Sequence, residues 1–418
     1  MTARNELPII VAGGGIGGLA CALALAQRGF DVLVCEQASE FGQVGVGLQV
    51  APNALSVLDA LGVGADAKRH ALLIERMLMV DAIDGREVCD IPCGPDFVAC
   101  FGNPYAVAHR ADIHGALLKA CMENLLITLR TTSRVASYRN RPGKVDLILD
   151  SGETISGLAL IGADGARSRV RQQMIGDGDP KPAGAVIYRA LVPNAFMPKA
   201  QQKPYPTLWV GPDAHAIYYP VRDWSVFNFG VTVNAPFDDI WEGETTNEQP
   251  LAALQDWSPI VKELVAAQKT FQRYVIRHRD PIDNWTDGAV TLLGDAAHPM
   301  VQYIAQGAAM ALEDAVCLAE EISKREADMP GAFAAYQAIR IVRTARVQLS
   351  SIMLDRIYHV KGVERLVRNS LFEDRTTTEY YERLAWLFTS PAYVKSPSVS
   401  GPESVYPSQT QPARYAPR

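Results

Sequence analysis

Apolar and polar positions alternate in blocks along this chain, and the blocks predict an α/β protein. Short uninterrupted apolar runs, typical of buried parallel strands, occur at 8–12, 32–35, 158–162 and 290–293. Helical periodicity predicts helices over 53–61, 113–124, 250–267, 307–325, 329–351 and 363–388. Strands that alternate with helices favour a parallel sheet covered by helices on its faces.

The middle of the chain has a different pattern. Side chains alternate in polarity over 207–211, 216–221 and 226–234, and further strand signals occur at 72–80, 126–131, 134–139, 145–149 and 185–191. We therefore predict an antiparallel sheet, roughly over 185–235, inserted between parts of the α/β domain. Residues 395–418 are rich in proline and serine and poor in aliphatic residues, so we expect a disordered tail there.

The first apolar run leads into a glycine-rich turn. Gly13, Gly15 and Gly18 have the spacing G-x-G-x-x-G, a helical stretch follows, and a second apolar run ends at Glu36. The glycines permit a tight turn, close approach of the backbone to a pyrophosphate, and close packing of helix on strand. Glu36 can accept hydrogen bonds from an adenosine ribose and would repel a 2′-phosphate. The unit therefore indicates NAD or FAD rather than NADP.

Two later turns combine glycine with aspartate at the end of an apolar strand. The first contains Asp164 and Gly165, and the second contains Gly294 and Asp295. Ligands of open α/β sheets bind at the carboxyl ends of the strands, where an aspartate can hold hydroxyl groups of an extended cofactor. Three such turns, far apart in the sequence, favour FAD, which would extend through the whole domain. A nicotinamide dinucleotide would be held within one compact half of the domain.

Bulk properties exclude several classes of protein. The net charge of −6 gives no basic footprint for nucleic acid, and no run of eighteen apolar residues predicts a membrane span. The first strand begins so early that we expect no signal peptide and a cytoplasmic protein. Seven cysteines are scattered, and the close pair Cys89 and Cys93 lacks a partnering histidine or second pair, so neither a metal site nor disulfides are expected.

Three motifs together resemble one family. GGGIGG at 13–18, GADGARSRVR at 162–171 and GDAAHP at 294–299 resemble the single-component flavoprotein aromatic hydroxylases, the para-hydroxybenzoate hydroxylase superfamily, over about residues 8–390. The resemblance implies a Rossmann-like FAD-binding domain of the GR2 type, a substrate domain built on the inserted sheet, and a C-terminal helical region. It assigns 1–75, 100–182 and 276–350 to the FAD domain, 76–99 and 183–275 to the substrate domain, and 351–392 to the helical region. It also implies a homodimer.

The same resemblance implies the cofactor contacts. Family members carry no separate fold for the nicotinamide coenzyme, and the Asp-Gly turn, with Arg169 beside it, serves both FAD and coenzyme. A helix starting near Gly307 would direct its positive N-terminus at the reduced flavin ring. The residues implied to contact FAD are Gly13, Gly15, Ile16, Gly17, Gly18, Glu36, Gln37, Arg110, Val135, Asp164, Gly165, Asp295, Pro299, Gly307 and Ala308.

Further segments, at 208–222, 280–288, 298–315 and 336–347, resemble the 3-hydroxybenzoate 6-hydroxylases. That resemblance implies a small aromatic acid as substrate, FAD, NADH and O2 as cofactor and cosubstrates, and oxygen transfer from a flavin C4a-hydroperoxide to give 2,5-dihydroxybenzoate. It places His215, Tyr219 and Gln302 at the hydroxylation site. On a regular strand His215, Ile217 and Tyr219 would share one face. His215 is then the candidate that polarises or deprotonates the phenol.

Two alternatives stay open. The first is another monooxygenase outcome, either decarboxylating attack of the salicylate 1-hydroxylase type or hydroxylation of another hydroxybenzoate or hydroxypyridine carboxylate. The second is an FAD reductase that inserts no oxygen. We interpret His298, His109 and His114 as structural, and the basic run at 340–347 as a solvated helix face. The sequence identifies no arginine for the substrate carboxylate.

Overall fold

Strands and helices follow one another along the whole described chain. A computed structural model of the protein describes residues 7–42, 46–235, 242–325 and 328–394. The strands are β1 (Ile9–Ala12), β2 (Val32–Cys35), β3 (Gly47–Val50), β4 (Ala71–Leu73), β5 (Arg76–Asp81), β6 (Glu87–Pro92), β7 (Ala106–His109), β8 (Ile127–Arg130), β9 (Val135–Arg141), β10 (Lys144–Leu149), β11 (Thr154–Gly157), β12 (Ala159–Gly162), β13 (Lys181–Pro193), β14 (Thr207–Gly211), β15 (Ala214–Val221), β16 (Val226–Asn234), β17 (Glu242–Thr246), β18 (Thr270–His278), β19 (Thr286–Asp287) and β20 (Val290–Leu292). The helices are α1 (Ile16–Ala26), α2 (Pro52–Ala60), α3 (Gly64–Arg69), α4 (Pro95–Phe101), α5 (Arg110–Met122), α6 (Arg169–Met174), α7 (Glu248–Ala253), α8 (Pro259–Ala266), α9 (Gly307–Arg325), α10 (Met329–Tyr358), α11 (Gly362–Phe372) and α12 (Thr377–Phe388).

A six-stranded sheet, in the order β19-β20-β12-β1-β2-β8, carries the nucleotide-binding unit. Its strands are parallel except at β19, and β1 is buried along its whole length. In this register Ala12 lies opposite Gly162, and Gly162 lies opposite Leu292. Parallel pairing therefore brings the ends of β1, β12 and β20 side by side, so that all three glycine-containing turns lie at one edge of the sheet.

An eight-stranded sheet, in the order β17-β18-β13-β16-β15-β14-β5-β6, forms the second layer. Its neighbours pair antiparallel except β14 with β5. The predicted fold class, an FAD-binding α/β fold with an inserted antiparallel sheet and C-terminal helices, is confirmed. The exact domain boundaries stay a prediction, and the predicted tail at 395–418 lies outside the described residues. Two three-stranded sheets, β3-β7-β4 and β11-β10-β9, complete the strands.

Three predicted elements are divided in the structure. The helix predicted at 250–267 is two helices, because Pro259 starts α8 and the Ser258 hydroxyl caps it by accepting from Ile260 N. The region 363–388 is also two helices, and a capping box between Thr376 and Glu379 starts the second. The strand predicted at 72–80 is split between β4 and β5, which belong to different sheets. Over the described residues no helix is long and apolar enough to cross a bilayer.

The basic run on α10 is not a solvated face, so that interpretation was wrong. Arg340 is fully buried, and its guanidinium lies 2.6 Å from Glu313 Oε2 and 2.6 Å from Asp314 Oδ1. Arg343 Nε lies 2.7 Å from Glu313 Oε2, and the Arg346 guanidinium lies 3.8 Å from the centre of the Trp386 ring. The acidic partners are on α9, remote in sequence, so the local pattern of charges gave no sign of them.

Candidate active site

The first glycine turn is held tightly by its neighbours. Gly13 has a φ of +115°, a conformation that favours glycine, and a Cβ at Gly18 would lie 2.0 Å from the carbonyl oxygen of Gly13. The Glu36 carboxylate accepts from the backbone N–H groups of Gly14, at 2.7 Å, and Ala38, at 2.9 Å. The ring of His114 lies 2.8 Å from the carbonyl oxygen of Gly14, which confirms its structural role. Helix α1 therefore begins directly behind a rigid turn.

The second turn uses its aspartate locally. The Asp164 carboxylate accepts from the Ser168 hydroxyl, from Arg169 N at 2.7 Å and from Val170 N at 3.3 Å. These bonds cap the start of α6. Burial raises the pKa of Asp164, although the same hydrogen bonds oppose that shift. Gly165, next in the chain, has a φ of +79° with open space around it, so its backbone is accessible to a ligand.

The third turn is fixed by a buried aspartate on α9. Asp314 Oδ2 accepts from Gly294 N at 3.0 Å and lies 2.6 Å from His298 Nε2, while Asp314 Oδ1 contacts Arg340. Burial opposes the charge on Asp314, but His298 and Arg340 hold its pKa at about 2. His298 is therefore structural, as predicted. Asp295, in the same turn, is exposed.

A cavity of about 770 Å³ lies between the three turns and one face of the eight-stranded sheet. Most residues predicted for the site line it: Gly15, Ile16, Gly17, Arg110, Gly165, Asp295, Gly307, Ala308, His215, Tyr219 and Gln302. The others predicted for the site are absent from its wall: Gly13, Gly18, Glu36, Gln37, Val135, Asp164 and Pro299. Gly13 and Gly18 shape the turn behind the wall, and Val135 is buried in the core. Their contacts with FAD stay a prediction.

Strand β15 supplies the polar wall. His215, Ile217 and Tyr219 line the cavity, whereas Tyr218 points to the other face and packs in a separate hydrophobic core. Burial and the neighbouring His359 lower the pKa of His215 well below its usual value. Burial raises the pKa of Tyr219, and Arg189 partly offsets that shift. His215 is therefore neutral and Tyr219 is protonated at neutral pH.

Arg189 is a cavity residue that the sequence analysis missed. It lies on β13 opposite Gly230, which also lines the cavity. Within the described residues the Arg189 side chain makes no hydrogen bond or ion pair, and burial lowers its pKa. One signal was available in the sequence, since a single arginine interrupts an otherwise apolar strand at 185–192.

The cavity has the chemistry that FAD requires. Arg110 and Arg189 both line it, and within the described residues neither guanidinium has an acidic partner, so the wall favours an anionic ligand. Gln302 Nε2 and Gln306 Nε2 are buried donors without a partner in the described chain. Helix α9 begins at the wall with Gly307 and Ala308, which offer free N–H groups and a positive dipole end. These residues fit a dinucleotide with a pyrophosphate and a reducible ring.

Comparisons with known proteins place this geometry in a family. A family model described as "FAD binding domain" matches residues 6–347. The chain is 45% identical over 384 residues to 3-hydroxybenzoate 6-hydroxylase from Polaromonas naphthalenivorans, covering 92% of this chain and 96% of that protein. It is 40% identical over 380 residues to 3-hydroxybenzoate 6-hydroxylase from Klebsiella oxytoca, covering 91% and 96%.

Solved structures agree on the fold. Klebsiella pneumoniae HpxO complexed with FAD and uric acid superposes with a TM-score of 0.80 at 26% identity, over 92% of this chain and 97% of that one. A salicylate hydroxylase substrate complex superposes with a TM-score of 0.79 at 24% identity, over 95% and 100%, and therefore supports the fold alone. The chain belongs to the FAD-binding-domain family of flavoprotein aromatic hydroxylases, and it is an FAD-dependent aromatic monooxygenase.

Proposed function

We propose that the protein hydroxylates 3-hydroxybenzoate at the carbon para to its hydroxyl group, giving 2,5-dihydroxybenzoate, with FAD bound and NADH and O2 consumed. The observation that carries this proposal is that His215 and Arg189, which has no acidic partner among the described residues, line the cavity beside the three glycine-containing turns. A neutral imidazole suits a phenol, and an unpaired guanidinium suits a carboxylate. The names of the relatives from P. naphthalenivorans and K. oxytoca support the same substrate.

FAD would be held by the glycine turn and by the two later turns. Gly15 to Gly17 would face the pyrophosphate, Arg110 would add positive charge, and Asp295 would accept from hydroxyl groups of the ribityl chain. Glu36 would accept from the adenosine ribose with the lone pairs that its bonds to Gly14 and Ala38 leave free. FAD held there would supply hydride acceptance from NADH and the activation of O2 for insertion into the aromatic ring.

The substrate would lie between β13, β15 and the loop that contains Gln302. Arg189 would bind the carboxylate, and His215 would accept the phenol proton, which raises the electron density at the ortho and para ring carbons. Gln302 Nε2, a buried donor without a partner in the described residues, would stabilise the resulting phenolate oxygen. Apolar wall residues such as Ile217 and Met300 exclude water from the reacting ring.

A panel of aromatic acids tests this proposal. With FAD-loaded protein, 3-hydroxybenzoate should stimulate NADH oxidation far more than 2-hydroxybenzoate or 4-hydroxybenzoate. Arg189→Met should raise the KM for 3-hydroxybenzoate by about 10- to 150-fold, because a charge-assisted hydrogen bond contributes about 1.5–3 kcal/mol. The same variant should bind neutral 3-hydroxybenzyl alcohol as wild type does. An unchanged KM would remove Arg189 from the carboxylate site, and preferred turnover of 2-hydroxybenzoate to catechol would favour the salicylate-type alternative.

We further propose that two copies of the chain pair in solution, as the family resemblance implies. Helices α10 and α11 expose apolar side chains that could meet in such a pair: Val342, Met353, Val363, Leu366, Val367 and Leu371. Light scattering of the FAD-loaded protein should give twice the mass of one chain, and a monomer at micromolar concentration would contradict the pairing. A cytoplasmic location stays a prediction from the sequence.

A further inference from the structure

His215 is the cavity end of a row of three polar side chains. His215 Nδ1 lies 2.7 Å from His359 Nε2, and the planes of the two rings meet at an angle of 21°. His359 Nδ1 lies 3.0 Å from Asp355 Oδ1, which is an ion-pair distance, but the two groups are not aligned for a hydrogen bond. Both histidines are buried, whereas the Asp355 side chain is 36% exposed. The row therefore leads from the wall of the cavity to the surface.

The end of helix α10 is held beside His215 by contacts with the turn between β14 and β15. Asp355 and His359 are one helical turn apart on the last turn of α10, and the carbonyl oxygen of His359 accepts from Asp213 N at 3.0 Å. Asp213 lies in the turn between β14 and β15, two residues before His215. Lys361 Nζ pairs with Asp213 Oδ2 at 3.0 Å on the exposed side of the same junction. The backbone hydrogen bond from Asp213 to His359 thus fixes the two imidazoles relative to each other, and the exposed Lys361 pair is not needed for it.

The spacing of these atoms determines where the protons lie. Two imidazole nitrogens at 2.7 Å share one proton, since two N–H groups or two lone pairs would repel each other. The Asp355 carboxylate favours a proton on His359 Nδ1, so His359 Nε2 carries the lone pair. His215 Nδ1 must then carry the shared proton, and His215 Nε2 is left as an acceptor. Asp355 therefore selects the tautomer in which His215 can act as a base.

We propose that His359 and Asp355 form a relay that sets the tautomer of His215 and passes the substrate's phenol proton to solvent; the second part of this proposal rests on the proposed function. The phenol O–H bond breaks as its proton binds His215 Nε2. The proton on His215 Nδ1 moves to His359 Nε2. The partly exposed Asp355 side chain turns into line with His359 Nδ1, and the proton on that nitrogen moves to the carboxylate, which releases it to water. One proton leaves the cavity, the phenolate keeps the electron pair, and no oxidant or reductant is needed.

The groups around His215 are consistent with transfer through the row. The rings of Tyr303 and Tyr358 lie 4.9 Å and 5.3 Å from the His215 ring, and burial raises the pKa of both hydroxyls, so both are neutral. Asp355 adds to the shift of Tyr303, and Asp213 and Lys361 pair with each other outside the row. His215, whose pKa lies well below its usual value, cannot retain the proton that it accepts.

The relay is tested with Asp355→Asn, Asp355→Glu and the matched control Lys361→Gln, each loaded with FAD. In single-turnover experiments Asp355→Asn should slow hydroxylation by about 100-fold, near the lower end of the range for general base catalysis. Its hydroxylation rate should rise with pH, because the substrate must then enter as the phenolate, while the wild-type rate stays flat over the same range. Flavin reduction by NADH should change by less than twofold. Asp355→Glu should restore most of the rate, and Lys361→Gln should behave as wild type.

Two results would overturn the relay. The first is a wild-type pH profile and hydroxylation rate in Asp355→Asn. The second is independent of any substrate: 15N NMR of histidine-labelled protein must show an unprotonated Nε2 on His215 in wild type and a changed tautomer in Asp355→Asn. Protonation at Nε2 in wild type contradicts the relay whichever aromatic acid the enzyme accepts. Failure of wild type to hydroxylate 3-hydroxybenzoate contradicts the proposed function instead, so the two failures are distinguishable.

Discussion

Gly18→Ala should weaken FAD binding although alanine is the better helix former. Gly18 lies in the first turn of α1, and its added Cβ would lie 2.0 Å from the carbonyl oxygen of Gly13, where contacts below 3.0 Å essentially never occur. Helix and turn must separate by about 1 Å. Overpacking of this kind costs about 1–3 kcal/mol, which exceeds or cancels the roughly 1 kcal/mol that alanine gains in a helix.

The displacement acts directly on the phosphate site. The N–H groups at the start of α1 would move relative to the Gly13–Gly18 turn, so at least one hydrogen bond to the pyrophosphate is lost. A charge-assisted hydrogen bond contributes about 1.5–3 kcal/mol, which corresponds to a Kd for FAD raised by about 10- to 150-fold. Titration of apoprotein with FAD, followed by quenching of flavin fluorescence, measures this change.

Gly115→Ala is the matched control. Gly115 is also inside a helix, α5, and a Cβ there meets nothing within 4 Å. We expect the control to stabilise the protein by about 0.5–1 kcal/mol and to leave the Kd for FAD unchanged. A Kd for Gly18→Ala within threefold of wild type, or an equal loss of FAD in both variants, would refute the role assigned to the Gly13–Gly18 contact.

Two other changes test the packing around the site. Arg340→Met should destabilise the protein by about 3–5 kcal/mol in urea unfolding, because it leaves the buried carboxylates of Glu313 and Asp314 without their shared cation. As a control, Arg356→Met at an exposed position of the same helix should change the free energy of unfolding by less than about 0.5 kcal/mol. Burial opposes the charge on Asp81, but hydrogen bonds from Arg365 and Asn369 lower its pKa to about 2. Because the pKa of Asp81 is lower in the folded protein than in the unfolded chain, its carboxylate stabilises the fold above about pH 4. This stabilisation is lost as the pH falls towards 2. Hydrogen exchange of α11 should therefore accelerate over that interval, and Asp81→Asn should remove most of the pH dependence.

Local features of this fold were predictable from the sequence. The glycine spacing, the apolar runs and Glu36 lie within one short segment, and each imposes its own geometry. The meeting of the three turns also follows from the sequence, because parallel strands place their carboxyl ends at one edge. The shared face of His215, Ile217 and Tyr219 follows from the alternation of side chains along a strand.

Features that depend on pairing remote residues were not predictable. From the sequence alone Arg340 is expected at the surface, because its partners Asp314 and Glu313 lie on a different helix, α9. Arg189 becomes informative only when the structure shows that it faces a cavity and has no acidic partner among the described residues. His359 lies beyond the predicted end of its helix and contacts His215 across 144 residues of sequence. None of these contacts leaves a local periodic signal.

One turnover experiment under 18O2 tests the proposed function most directly. FAD-loaded protein is supplied with NADH and 3-hydroxybenzoate, and the products are analysed by mass spectrometry and NMR. We expect 2,5-dihydroxybenzoate with one 18O atom in the new hydroxyl group, and one NADH consumed for each product molecule. Hydrogen peroxide without labelled product, or a dihydroxybenzoate oxidised at another ring carbon, would contradict the proposed function.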